Sequence, residues 1–255
     1  MLAIETSSAR GSIALGRADT GAPLGAGAPP VAPECAGQAL ASHALAADRR
    51  HAAELLPAIR DLLKEAGCGP RDVGMVCFSR GPGSFTGLRV AATIARLWQS
   101  ATGCQVVAAD TLEVIARNAL THSERPERIA AVVDAKRGQV FGAVFEREGD
   151  GELRTVSAAG RHDAADWLAA LPRPCVALGE GVAAHRDAIL AAGLPILDDG
   201  CWWPDARQTL AVGWRRARAG QFCKPEEIVP LYLRPPECEE VYEQRRAAAR
   251  QRRGM

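Results

Sequence analysis

The stretch from 73 to 109 constrains the fold most. Val73 to Ser79 is a largely apolar run of strand length. It is followed by Arg80-Gly81-Pro82-Gly83-Ser84-Phe85-Thr86-Gly87, then by a helical segment, 86–102, carrying Leu88, Val90, Ile94, Leu97 and Trp98 among alanines, then by a second apolar run, Gln105 to Ala109. Strand, glycine turn, helix and strand in close succession is an α/β pattern, and the helix, apolar over much of its surface, is expected to be covered on more than one side. The glycines themselves admit two readings. Free N–H groups at a helix start can hold an anion, which makes Gly81, Gly83, Ser84, Thr86 and Gly87 candidate phosphate contacts. Equally, a tight strand-to-helix turn needs glycine wherever two backbones crowd. The run is neither a Walker loop, because Gly-Lys-Ser/Thr is absent, nor a dinucleotide fingerprint.

The flanking sequence extends the same pattern. Leu2 to Glu5 reads as a buried strand, Thr6 to Gly11 as a hydroxyl-rich turn, and Ser12 to Gly16 as the returning strand of a hairpin. Residues 18–37 are rich in Gly, Ala and Pro and read as a long loop. Ala39 to Ala46 carries a weak strand signal. From His51 to Gly67 the positions Leu55, Leu56, Ile59, Leu62, Leu63 and Ala66 fall on one helical face; Pro57 is expected to kink the first turn or to mark the true start. Thr111 to Leu120 reads as a further helix, and the polar segment 121–128 with Pro126 as a boundary. A second hairpin follows, Ile129 to Asp134 and Gln139 to Phe145 around Lys136-Arg137-Gly138. The remaining elements are a strand at 153–156, a helix at 163–171, a strand at 175–178, a helix at 183–192, a short strand at 195–197, and a helix at 206–219 with Asp205 as its N-cap. Two hairpin-led α/β halves are expected, 1–120 and 121–205, with 206–255 as a helix and tail packing back on the first half.

Charge and cysteine usage narrow the function. With 31 basic and 30 acidic residues the net charge is +1, so nothing draws the whole chain to nucleic acid or to an anionic membrane, and any such contact must be a local patch. No apolar stretch approaches the ~20 residues that span a bilayer. The eight cysteines form no C-x-x-C pair and no Cys/His cluster with zinc spacing, and read as reduced thiols of a cytoplasmic chain without a secretory leader. The end of the chain, 239–255, runs from acids into arginines and reads as a solvated tail, with phosphate contact as the rival reading.

The string GPGSFTGLRV after a short apolar strand resembles a signature of the TsaB (YeaZ) family. Four further stretches agree in order: LAIETS at 2–7; His51-Ala52-Ala53-Glu54-Leu55-Leu56-Pro57; Val132-Val133-Asp134-Ala135-Lys136-Arg137-Gly138-Gln139-Val140-Phe141; and Pro230-Leu231-Tyr232-Leu233-Arg234. Ala91 stands where the family commonly has Gly, and Ala95-Arg96-Leu97-Trp98-Gln99 where its helix often reads Ala-Lys-Gly-Leu-Ala. These departures bear on the packing of that helix and on the surface it offers.

The resemblance implies an α/β actin-like ATPase (ASKHA) fold and a non-catalytic scaffold or activator subunit. Such a subunit binds TsaD, which transfers the threonylcarbamoyl group to the adenosine beside the anticodon of tRNA, while the ATPase TsaE resets the complex. It implies no intrinsic cofactor, ATP or ADP with Mg entering through the complex, and tRNA met through it as well. The helices at 51–67 and 86–102 would pair with those of TsaD, with His51, Leu55, Ile59, Leu62, Leu63, Leu88, Ile94 and Trp98 as contacts; a homodimer could use the same surface. Glu5, with Thr6 beside it, and Asp134 occupy the places where active members of the superfamily position metal and phosphate. TsaD carries two metal-binding histidines four apart; here His51 stands alone and Leu55 fills the second place, so no metal site and no catalytic residue are expected. Two rival readings are an autonomous ATP-dependent, small kinase-like enzyme and, less favoured, a glycoprotease-like metallopeptidase.

Overall fold

The computed structural model describes residues 1–17, 39–45, 51–149 and 151–234, the side chains of 51 and 52 excepted. The expected loop at 18–37 and the tail beyond 234 lie outside the described residues.

Two sheets form. β1 (Leu2–Glu5) and β2 (Ser12–Gly16) make the first hairpin, with Ile4 opposite Ile13, and β3 (Ala39–Ala44) adds antiparallel to β2. β4 (Met75–Gly81) runs parallel to β1 and β5 (Gln105–Asp110) parallel to β4, giving the order β3-β2-β1-β4-β5. The second sheet contains β6 (Arg128–Asp134), β7 (Gln139–Glu148), β8 (Glu152–Asp163) and β9 (Val176–Leu178) in the order β8-β7-β6-β9, and Ile196 bridges in parallel to Ala177 beyond β9. The second sheet therefore repeats the first: an antiparallel hairpin and its third strand on one side, parallel strands on the other.

Alternation along the strands sorts the core into layers, because successive side chains point to opposite faces. Ile4, Phe78 and Val106 face α1 (His51–Glu65) and α2 (Phe85–Thr102) through Leu55, Ile59, Ala91 and Ile94. Ala3, Cys77 and Val107 face α6 (Ala206–Arg218) through Leu210 and Trp214. In the second sheet Ile129, Ala131 and Phe145 face α3 (Thr111–Arg117), while Ala130, Val132 and Val144 face α4 (Ala164–Ala169) and α5 (Val182–Ala191). α3 belongs to both halves: Leu112 and Ile115 pack on the second sheet, and Val114 packs with α6. α3 and α6 thus form the layer between the sheets.

That central layer is tied by charge. Glu113 of α3 is buried and pairs with Arg215 and, at 2.7 Å, with Arg216 of α6; Arg216 also reaches Asp110 at 2.6 Å, which Arg80 holds from β4 at 2.7 Å. Each acid has two guanidinium partners, the condition under which buried charge is tolerated.

Several boundaries differ from the sequence expectation. α1 runs through Pro57 from His51. The hydrogen bond lost there belongs to the carbonyl of Ala53, an exposed first-turn residue that water can serve. The strand expected at 153–156 extends over Glu152–Asp163, and α4 is shorter than expected, with Asp163 capping Ala165 and Asp166. β8 is largely exposed and polar, so hydrophobic alternation marks only its start.

Candidate functional site

The glycine loop is closed by the first hairpin. The Ser7 carbonyl accepts the backbone N–H of Ser84 at 2.6 Å, and the Thr6 hydroxyl donates to the Gly87 carbonyl at 2.8 Å. Ser84 caps α2, its hydroxyl accepting from Gly87 N–H. A Cβ on Gly83 would strike the Ser7 carbonyl and one on Gly87 the Thr6 carbonyl, so both glycines allow the β1–β2 turn to lie against the start of α2. Of the donors an anion would use there, those on Ser84 and Gly87 already have partners. Gly81 is covered by the Leu231 carbonyl, and Thr86 is exposed on the first turn of α2.

A cleft of about 790 Å³ separates this joint from the second hairpin; Ser7, Ser84, Phe85, Asp134, Glu180, Trp203 and Tyr232 are among its walls. Glu5 does not reach it freely. Its buried carboxylate accepts from Ser7 N–H at 2.7 Å, Ser7 Oγ at 2.5 Å and Thr209 Oγ1 at 3.2 Å, and burial pushes its pKa up against those bonds. Asp134 is better placed: it takes the Lys136 backbone N–H, Lys136 Nζ at 2.8 Å and His185 Nε2 at 3.1 Å. Burial alone would raise its pKa, but the bonds from Lys136 and His185 outweigh it and hold the carboxyl below its ordinary value. Glu180, in the turn between β9 and α5, is pushed up to about 7, first by burial, then by the charges of Glu5 and Asp134 against the opposing Lys136. Sequence reading found neither Glu180 nor His185, because both come to Asp134 only through the packing of α5 on β6.

The mouth of the cleft is crossed by the segment 228–234. Leu231 N–H donates to the Arg80 carbonyl at 2.7 Å, Tyr232 stacks on Phe85 at 5.0 Å, and Arg234 reaches the Ala135 carbonyl of the second hairpin at 3.0 Å. Ile228 is buried against the first core, and its carbonyl accepts from Arg96.

The other concavity lies on the outer face of α1 and α2. It is an apolar groove of about 650 Å³ lined by Leu56, Ile59, Leu63, Ile94, Leu97 and Trp98 among others. Leu56 and Leu97 are 56% and 63% exposed. Of the expected contact residues, Ile59, Leu63 and Ile94 form the groove floor and Trp98 is half-buried on its wall, its indole donating to the Pro70 carbonyl at 3.1 Å. Three expected contacts differ: Leu55 and Leu62 are fully buried in the chain's own core, and Leu88, also buried, lies against the cleft rather than the groove. The side chain of His51 lies outside the described residues. Leu56 and Leu97, the most exposed members, were not singled out from sequence.

Among the described residues one group has metal-ligand types in reach, His122, Asp198 and Cys201. Its geometry is that of a helix-end tie. Glu124 N–H donates to His122 Nδ1, so Nε2 is the nitrogen that donates to Asp198 at 2.8 Å, while Asp198 caps Gly200.

These features define a class: a two-sheet α/β protein of repeated halves, with a closed joint beside its central cleft and an uncovered apolar helix pair. Residues 44–192 match the family TsaD, tRNA N6-adenosine threonylcarbamoyltransferase. The tRNA threonylcarbamoyladenosine biosynthesis protein TsaB of Escherichia coli is 27% identical over 189 residues, 73% of this chain and 81% of that protein. TsaB of Bacillus subtilis is 29% identical over 192 residues, 74% of each. The solved structure of YeaZ from Pseudomonas aeruginosa superimposes with a TM-score of 0.71 at 27% identity, covering 91% of this chain and 98% of that one. The chain belongs to this family, in its TsaB (YeaZ) branch. Among the described residues no helix is long and apolar enough to cross a membrane.

Proposed function

We propose that the chain is the non-catalytic subunit of a cytoplasmic tRNA threonylcarbamoyladenosine complex and binds the TsaD catalytic subunit through the α1–α2 groove. The observation that carries this is the groove itself: two leucines more than half exposed over an apolar floor, on helices whose inner faces are already packed. Contiguous exposed apolar surface of this kind is the mark of a partner site. The repeated strand order supports an actin-like (ASKHA) architecture, with 1–120 and 121–205 as halves and 206–255 returning to the first through α6. The locked state of Glu5 favours a scaffold over independent ATP chemistry, since a metal ion would have to displace Ser7 and Thr209. On this reading TsaE, ATP or ADP with Mg, and tRNA are met in the assembled complex, and a homodimer uses the groove when TsaD is absent.

The test is capture of a TsaD-family enzyme by this chain, with Leu56→Asp and Leu97→Asp as probes. Each substitution should weaken capture at least about a hundredfold, the loss expected when a charge enters a desolvated contact. Undiminished capture by both variants, or ATP turnover by the chain alone at enzyme-like rates, overturns the reading.

A further inference from the structure

Two arginines at the cleft rim are explained by neither the fold nor the groove. Arg10 ends the β1–β2 turn beside the cleft-lining Ser8 and Ala9, and its guanidinium lies 4.4 Å from the ring centroid of Trp203. Arg89, in the second turn of α2, lies 3.8 Å over the Phe85 ring and donates through Nε to the Tyr232 hydroxyl at 2.9 Å. Both are exposed, and neither pairs with a carboxylate among the described residues. A guanidinium resting on an aromatic ring keeps its charge and is partly immobilised in advance, so it loses less freedom when it grips a phosphate.

The two walls of the cleft differ. Asp134 and Glu180 stand on the wall built by the second sheet, interleaved with Lys136, which Asp134 holds, and with Arg137, whereas the lip built by the first sheet and α2 brings no carboxylate into the cleft lining among the described residues. A polyanion laid along that first lip keeps clear of both carboxylates. On the same lip Phe85 and Tyr232 stack on each other with Arg89 over the Phe85 ring, so the cation and its two rings are held as one unit.

We propose that the Arg10–Trp203 pair and the Arg89–Phe85–Tyr232 cluster are an RNA contact, gripping the phosphodiester backbone of a strand laid across this lip. The inference rests on the reading of the chain as a subunit of a tRNA-modifying complex, and adds that the chain touches the RNA itself. A local patch of this kind is what a chain of net charge +1 requires for such a contact.

The experiment measures unmodified tRNA binding by fluorescence anisotropy between 50 and 200 mM salt (about the range over which counterion release is read), with the full chain alone and with its TsaD-family partner. The double variant Arg10→Ala/Arg89→Ala should bind roughly tenfold more weakly, and its log–log salt slope should be shallower by about 1.5, the loss of two phosphate contacts. Arg71→Ala, remote from the cleft, should change neither. Affinity for the TsaD-family partner is read separately and should be unchanged, so a failure of the subunit reading shows in that arm and a failure of the RNA contact in the other. Unaltered tRNA affinity and slope in both settings overturns the proposal. So does loss of ADP–Mg binding in the double variant with tRNA binding intact, which would make the lip a nucleotide site.

Discussion

The carbonyl of Ser7 and the backbone N–H of Ser84 meet at 2.6 Å, and this bond fixes the first hairpin to the start of α2. α2 carries the cleft at one end, through Ser84, Phe85 and Leu88, and the apolar groove at the other, through Ile94, Leu97 and Trp98. The glycine loop is therefore a joint that sets the direction of the groove helix. Its resemblance to a phosphate cradle comes from the same requirement, close backbone approach at a helix start.

Gly87→Ala should expose this role. The added methyl would meet the Thr6 carbonyl, a backbone atom that cannot turn aside, so a loss of at least about 2 kcal/mol is expected in denaturant unfolding. Gly103→Ala is the comparison. There the glycine ends α2 at φ 73° with open space around it, and only about 1 kcal/mol of left-handed strain should appear. Equal costs at the two positions would contradict the joint.

Ile94 and Leu97 separate folding from binding. Both face the groove, but Ile94 is buried in the floor while Leu97 stands mostly in water. Ile94→Asp would bury a charge and should cost about 3 kcal/mol or more, visible as a lower unfolding midpoint. Leu97→Asp should leave the midpoint within about 0.5 kcal/mol of wild type while abolishing capture of the partner. A large stability loss in Leu97→Asp would mean that the groove is part of the fold.

Much of the fold was legible because burial writes a period into the sequence. Ile4, Phe78 and Val106 alternate with Ala3, Cys77 and Val107, and the two sets face different helices. The groove was only half legible. Leu55 and Leu56 are neighbours on a helix and diverge by about 100°, so both cannot be central to one buried face. Which of them looks outward depends on where β2, β3 and α2 lie, and no local pattern records that. Leu97 reads as apolar as Ile94 until the fold shows one side of α2 uncovered. Arg10 and Trp203, or Asp134 and His185, meet only by tertiary packing. β8 was legible only at its start, 153–156, because its polar, exposed side chains leave no apolar signal beyond.

Glu113 should be the most costly carboxylate to remove. It is buried between α3 and α6 with two guanidinium partners, and Glu113→Ala would leave Arg216 with Asp110 alone and Arg215 with the distant Glu152 at 3.6 Å. Removing one member of a buried network costs about 3 kcal/mol or more. Glu148→Ala breaks an exposed pair with Arg154 and should cost less than about 1 kcal/mol. Unfolding midpoints of the two variants check the ranking.

Glu180 should give the chain a stability that falls as pH rises. Its folded pKa of about 7 lies above the ordinary value of 4.5, so between those limits the folded chain holds a proton that the unfolded chain has released. Stability from this group is complete below pH 4.5, declines through pH 7, and is flat above, the reverse of a salt-bridged acid. Glu5, also raised, acts in the same direction, so the comparison must be with Glu180→Gln rather than with pH alone. The variant should lose most of the slope between pH 5 and 7.5 (about the window the shift defines) and be more stable than wild type at pH 8 by about 2 kcal/mol, discounted from the full shift because the cleft admits water. An unchanged slope in Glu180→Gln would show that the carboxyl is ionised in the fold, with Lys136 rather than burial governing it.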